Sequence, residues 1–149
     1  MHLISHLIAA TLILGGGTTF AQTKDEMRGS LGEVAGEFHE CSVYFLVSAT
    51  CVAPQDSDLA GKLGAVADRF SNEAISGLRS VGMSDDAYAA RGKLLVETMM
   101  KSMGGNCTNI AVLQRKYMNF CQRLNDNPDA RLVEWMTCLR ASKKTCGGP

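Results

Sequence analysis

Residues 31–52, LGEVAGEFHECSVYFLVSATCV, decide the fold of this chain. Their apolar side chains recur at steps of three or four, at Leu31, Val34, Phe38, Cys41, Phe45, Ala49 and Val52. That spacing places them on one face of an α-helix. Residues 43–47 alone could pass for a buried strand, but the longer pattern favours a helix. Ser30 and Glu33 fit a capping box at its start, and Pro54 ends it. The helix could begin earlier, near Asp25, but Gly29 and Gly32 weaken that turn.

The rest of the chain continues the helical rhythm. We expect a second helix over residues 57–81, a third from the cap Ser84 to Gly104, a fourth from near Asn106, and a fifth that begins at Pro128. The turns between them are short, and alternating strand patterns are absent from the sequence. These features predict an all-α fold, an antiparallel bundle of four to five helices cross-linked by disulfides.

The N-terminus has the pattern of an export signal. An apolar run at residues 7–14 has the length of a signal-peptide core and is too short to span a membrane. Thr19 and Ala21 occupy the small-residue positions before a cleavage site. We therefore expect residues 1–21 to be a signal peptide cut after Ala21, and residues 22–149 to be one secreted or periplasmic domain.

Six cysteines lie in the predicted mature part, at Cys41, Cys51, Cys107, Cys121, Cys138 and Cys146. On straight helices Cys41 and Cys51 lie about 15 Å apart, too far for a bond within one helix. In an up-down bundle, Cys41–Cys121 and Cys51–Cys107 would join the first and fourth helices, and Cys138–Cys146 would close locally. A rival arrangement pairs Cys107 with Cys146 across the last two helices.

Charge is unevenly distributed although the whole chain is neutral. Residues 22–100 carry seven basic and twelve acidic side chains, whereas residues 101–149 carry eight basic and three acidic ones. This favours two halves that attract each other. The alternative is a basic face on the C-terminal part that binds an anion or a partner. The total charge gives no case for nucleic-acid binding.

Catalytic, metal-binding and nucleotide-binding motifs are missing from the sequence. His39 is the only histidine of the predicted mature chain, and we expect it to face solvent beside Glu40. Met99 and Met103 could suggest copper(I), but their spacing favours core packing. Lys143 and Lys144, with the basic residues Arg131 and Arg140, are expected to be solvated.

The sequence therefore predicts a non-enzymatic, exported interaction or binding module. The alternatives are a carrier of a small apolar ligand in the bundle core and an enzyme with an unrecognised carboxylate site. No catalytic residue, metal or cofactor is expected. The partner would be a protein or a small apolar ligand, with no nucleic acid and no membrane span in the mature chain.

Overall fold

A computed structural model describes residues 17–141, 146 and 148, with side chains from residue 24 onward. The described residues form five α-helices and no strand, which confirms the predicted fold class. The helices are α1 (Gly17–Val52), α2 (Ser57–Ser80), α3 (Asp85–Ser102), α4 (Ala111–Asp126) and α5 (Pro128–Arg140). A single 3₁₀ turn, Cys107–Asn109, precedes α4. Within these residues, no helix combines the length and apolarity that crossing a membrane requires.

The first helix begins earlier than predicted, and the expected capping box at Ser30 is wrong. Ser30 lies inside α1, where its hydroxyl donates a hydrogen bond to the Glu26 carbonyl at 2.8 Å. Gly32 was expected to weaken this turn. Gly32 is nevertheless helical and packs against the Val81 side chain, which a Cβ there would meet at 3.5 Å, an ordinary contact distance. Packing of this kind outweighs the low helix propensity of glycine.

The described residues include only the C-terminal end of the predicted signal peptide. Its apolar run at residues 7–14 lies outside the described residues, and the predicted cleavage site after Ala21 falls in the first turns of α1. Among the described side chains, full burial begins at Ser30. Cleavage after Ala21 would therefore leave the buried part of α1 intact. The cleavage itself stays a prediction.

The predicted helix boundaries downstream are largely confirmed. Ser84 caps α3 through a hydrogen bond from the Ala87 amide, and Asn127 caps α5 ahead of Pro128. Gly82 ends α2 with a φ of 92°, a conformation that other residues rarely adopt.

The long helix α1 is the axis of the bundle. Helix α2 runs antiparallel to it along most of its length: Arg28 donates to the Val81 carbonyl at one end, and Ser42 donates to the Ala67 carbonyl at the other. Helix α3 runs parallel to α1, since its start lies beside His39 and its end beside Cys51.

Helices α4 and α5 lie end to end along α1 and together form the fourth column of the bundle. The disulfides Cys51–Cys107 and Cys41–Cys121 fix α4 antiparallel to α1, with Cα–Cα distances of 5.2 and 5.6 Å. The line continues where Arg131 meets Glu37 and Arg140 meets Glu26. The break between the two helices falls at Asn127 and Pro128 because proline cannot continue the ladder of α4.

The third disulfide, Cys138–Cys146, returns the chain onto α5. All three bonds are those that the up-down arrangement favoured. The rival Cys107–Cys146 bond needs α4 and α5 to form a hairpin. Since the two helices instead follow one another, Cys107 and Cys146 lie at different levels of the bundle.

The core gathers the inner faces of α1, α2, α3 and α4. Aromatic rings occupy its middle, where Tyr44 stacks with Tyr117 and Phe45 contacts Phe70. Its other buried members include Val34, Val43, Val47, Met99, Met103, Leu113, Phe120 and Leu124. Leu31 was expected on the inner face of the first helix but lies exposed, about midway along α1.

The contact between α1 and α2 predicts how substitution at Gly77 will act. A Cβ there would come within 2.6 Å of the Ala35 Cβ, so Gly77→Ala forces the two helices apart. We expect the free energy of unfolding in urea to fall by about 1–2 kcal/mol, because overpacking outweighs the gain in helix propensity. Gly61→Ala in the same helix meets no atom within 4 Å and should raise it by about 0.5–1 kcal/mol. Equal effects at both sites would contradict this packing.

Candidate functional site

Three polar residues in the middle of α1, namely Glu37, His39 and Glu40, form what we call the polar belt. A polar stretch inside a helix surrounded by other helices needs a partner for every charge. Glu37 contacts α5, whereas His39 and Glu40 contact α3. The contacts of the polar belt therefore decide whether its ionisable side chains are free to act on a ligand.

Glu37 forms a buried ion pair with Arg131 of α5. The Arg131 Nε donates to Glu37 Oε2 at 2.8 Å, and the Trp135 indole donates to Glu37 Oε1 at 3.0 Å. Hydrogen bonds to Glu37 raise the pKa of the Arg131 guanidinium, which therefore stays charged. Both hydrogen bonds fasten α5 to α1.

Arg131 was predicted to be solvated, and this is wrong. Its side chain is only 12% exposed and lies over the rings of Phe120 and Trp135. Its guanidinium also contacts Glu134 and the carbonyl of Cys146, which explains how the tail is held near α5. Lys143 and Lys144 lie outside the described residues.

His39 was predicted to face solvent, and this is also wrong. It is 2% exposed and stacks on the Tyr88 ring of α3 at a centroid distance of 3.9 Å. Its Nδ1 is buried without a hydrogen-bond partner. Burial, with a smaller contribution from the Arg91 charge, lowers the pKa of His39 to about 4. The imidazole is therefore neutral at pH 7.

Glu40 is half-buried on the flank of α1 that faces α3. Its Oε1 lies 3.8 Å from the Arg91 guanidinium, a loose ion pair. Burial raises the pKa of Glu40, while the charges of Arg91 and Lys116 oppose the rise. Glu40 therefore takes up a proton more readily than an exposed glutamate would.

The side chains of the polar belt contact other helices, and these contacts occupy the groups that could otherwise act as acids or bases. A general base needs a hydrogen bond to the group that it deprotonates. In the described residues, Tyr88 offers His39 its ring face, and its hydroxyl is hydrogen-bonded instead to Ser71 of α2 at 2.8 Å. The same part of the chain contains no group of three potential metal-ligating side chains. Met99 and Met103 are buried in the core, as their spacing predicted.

The outer side of α4 differs from the other helix surfaces in its charge. Arg115, Lys116 and Arg123 are exposed there, and α4 contains no acidic residue before Asp126. We call these three residues the basic face. Met118 lies one turn after Arg115, on the flank of this face, with 47% of its surface exposed. No ion pair forms at these three cations within the described structure.

Other cations of the C-terminal part are used internally. Arg140 donates to the Glu26 carboxylate at 2.9 Å, and Arg131 is bound by Glu37 and Glu134. The charge distribution predicted either two halves that attract each other or a basic face on the C-terminal part, and each alternative describes a part of the molecule. The cations of α5 join the two halves, whereas those of α4 face outward.

A cleft of about 550 Å³ lies at the junction of α4 and α5, next to the basic face. Phe120 and Leu124 provide its apolar floor, and Arg123 stands on its rim opposite Glu134. It exists because the helical column breaks at Asn127. A second, smaller crevice of about 150 Å³ between α1 and α3 is lined by apolar residues around Leu46.

Comparisons with protein-family models, with curated proteins and with solved structures found no match for this chain.

Sequence reasoning missed the pairings that need tertiary structure. It treated Glu37, Arg131 and Trp135 separately, although each lies on an inner helical face. One feature of the sequence could have indicated burial: Glu37 and His39 lie in a segment flanked by core residues. A helix that other helices enclose buries its polar positions as well. The basic face was open as an alternative, but its location on α4 was not predicted.

The buried ion pair yields a prediction. Arg131→Met leaves the Glu37 carboxylate buried beside Trp135 without its cation. We expect the free energy of unfolding in urea to drop by about 3–5 kcal/mol. Adding Glu37→Gln should restore part of that loss, because the double variant carries no uncompensated charge.

Arg79→Met is the matched control, since the ion pair of Arg79 with Asp85 is exposed. It should cost less than about 1 kcal/mol. A small effect of Arg131→Met, or no recovery in the double variant, would contradict the role of this pair.

Proposed function

We propose that this chain is a non-enzymatic, exported binding module whose basic face on α4 binds an acidic surface of a partner protein. The disulfides and the polar belt hold the scaffold rigid beneath that face. Binding then needs little ordering of the module itself, which lowers its entropic cost.

One observation carries the proposal, namely three exposed cations on α4, a helix whose only acidic residue is Asp126 in its last turn. Exposed lysines elsewhere have acidic residues on their own helix: Lys62 shares α2 with Asp58 and Asp68, and Lys93 shares α3 with Glu97. Helix α4 instead exposes three cations, at Arg115, Lys116 and Arg123. A partner with complementary charge would supply the missing carboxylates and be attracted over several ångströms.

The composition of the basic face favours a protein over other polyanions. Nucleic-acid sites usually neutralise many phosphates, and three cations on one helix give only a small electrostatic gain. Met118 adds exposed apolar area on the flank beside Arg115, and methionine and arginine are enriched at protein interfaces. The neighbouring cleft, with its apolar floor of Phe120 and Leu124, offers further room for a partner side chain.

Export is supported by the chemistry of the cysteines. Three disulfides consume all six thiols, and such bonds persist mainly in oxidising compartments. The signal-peptide pattern of residues 1–21 points the same way. Intact-mass analysis of the protein from its source would identify the mature N-terminus.

The alternative of an apolar-ligand carrier has less in its favour. Tyr44, Phe45, Phe70 and Tyr117 occupy the middle of the bundle, where such a ligand was expected. The crevice around Leu46 lies at the surface and would hold about one aromatic ring. A carrier of longer apolar molecules would need a different opening.

Charge reversal tests the basic face. The triple variant Arg115→Glu, Lys116→Glu, Arg123→Glu should weaken binding to poly-L-glutamate, a model acidic polypeptide, at least about tenfold at low salt. Isothermal titration calorimetry measures the effect, and circular dichroism checks that the helices persist. Wild-type affinity should fall as salt is raised.

The control triple Lys62→Glu, Lys93→Glu, Lys101→Glu changes the net charge equally on α2 and α3. It should retain most of the binding. Loss of binding in both triples would show an effect of net charge alone, against the proposal. Tighter binding of wild-type protein to duplex DNA or to phosphatidylserine vesicles would overturn the choice of a protein partner.

A further inference from the structure

The two halves of α3 are attached to the bundle by different kinds of contact. Toward its C-terminus, Met99 and the capping residue Met103 are buried in the core, and the Cys51–Cys107 bond follows within a few residues. No residue of α3 before Met99 is fully buried. The C-terminal half is therefore anchored by apolar burial and by a covalent bond.

Residues 85–95, the N-terminal half of α3, are held mainly by polar groups. Arg79 pairs with Asp85 at the first turn, and the Ser71 and Tyr88 hydroxyls share a hydrogen bond. Arg91 lies against α1, where a Cβ on Gly36 would meet its guanidinium at 2.8 Å. Such contacts give a low barrier to local opening.

His39 sits at the centre of this attachment. Its ring lies flat on Tyr88, and its Nε2 is so close to Gly92 that a Cβ there would come within 3.1 Å. Arg91 of α3 is the charge that acts on the imidazole, and Glu40 of α1 is the carboxylate paired with Arg91. From α2, the neutral Ser71 reaches the site through Tyr88.

We propose that acidification releases the N-terminal half of α3 from α1, with protonation of His39 as the trigger. A proton on the ring creates a buried cation beside Arg91, and the described neighbours place no acceptor at Nδ1. Moving residues 85–95 away gives the imidazolium access to water. The C-terminal half of α3 stays in place through Met99, Met103 and the disulfide.

The direction follows from proton linkage. In the closed form the pKa of His39 is lowered from 6.5 to about 4, whereas in an open form it returns to its ordinary value. The open form therefore binds more protons between these values, and closure weakens as pH falls through that window. From pH 7.5 to pH 5.0 the population of the open form should rise about thirtyfold. Glu40 works against this trend, because burial raises the pKa of Glu40 in the closed form, which therefore gains protons there as pH falls. The thirtyfold figure is the contribution of His39 alone.

Hydrogen exchange followed by mass spectrometry tests the proposal on the full chain at pH 7.5 and pH 5.0, after correction for intrinsic exchange rates. Peptides from residues 85–95 should lose protection about thirtyfold, while peptides from α2 and α4 keep theirs. His39→Phe retains a ring on Tyr88 without a titratable group and should abolish the pH effect. Equal loss of protection in all helices, or an unchanged effect in His39→Phe, would overturn the proposal.

Asp85→Asn is the matched control. It removes the Arg79 ion pair at the start of α3, but Asp85 has a lowered pKa and remains ionised throughout the tested window. This variant should keep the thirtyfold response. Should His39→Phe fail to fold, an NMR titration of the His39 ring in the wild-type protein decides. Titration near pH 6.5 without loss of protection in residues 85–95 would contradict the mechanism.

Discussion

The two disulfides between α1 and α4 are the constraint from which the rest of the architecture follows. Cys41 and Cys51 lie ten residues apart on α1, and their partners Cys121 and Cys107 follow in reverse order along the fourth column. This fixes the direction and the register of that column. Arg131 is thereby carried to the level of Glu37, and Arg140 to that of Glu26.

Burying α1 on all sides has an electrostatic consequence. The polar belt would be costly in a helix surrounded by apolar partners, so each of its members is assigned to a different contact. Glu37 is compensated by Arg131 and holds α5. His39 remains neutral beneath α3, and its buried Nδ1 has no hydrogen-bond partner. Glu40 is only loosely paired with Arg91. The same helix therefore has a stable side, toward α5, and an acid-sensitive side, toward α3.

Periodicity and cap residues were enough to predict the helices and their order, because these depend on local chemistry. Simple distances along a helix favoured the observed cysteine pairing but left the rival Cys107–Cys146 bond open. Ser84, Asn127 and Pro128 acted as their residue types suggest. The failures at Ser30, His39 and Arg131 share one cause, since each was judged from its sequence neighbours while its environment is set by another helix. Likewise, the basic face could be located only once the structure had shown that Arg131 and Arg140 of α5 pair with acidic residues.

Peptide mapping of the non-reduced protein tests this account most directly. Proteolysis and mass spectrometry should yield one peptide pair that joins Cys41 to Cys121 and another that joins Cys51 to Cys107. A Cys41–Cys51 bond would mean that α1 is not a continuous helix there. A Cys107–Cys146 bond would mean that α4 and α5 fold back on each other, which would contradict the end-to-end column that positions the ion pairs and the basic face.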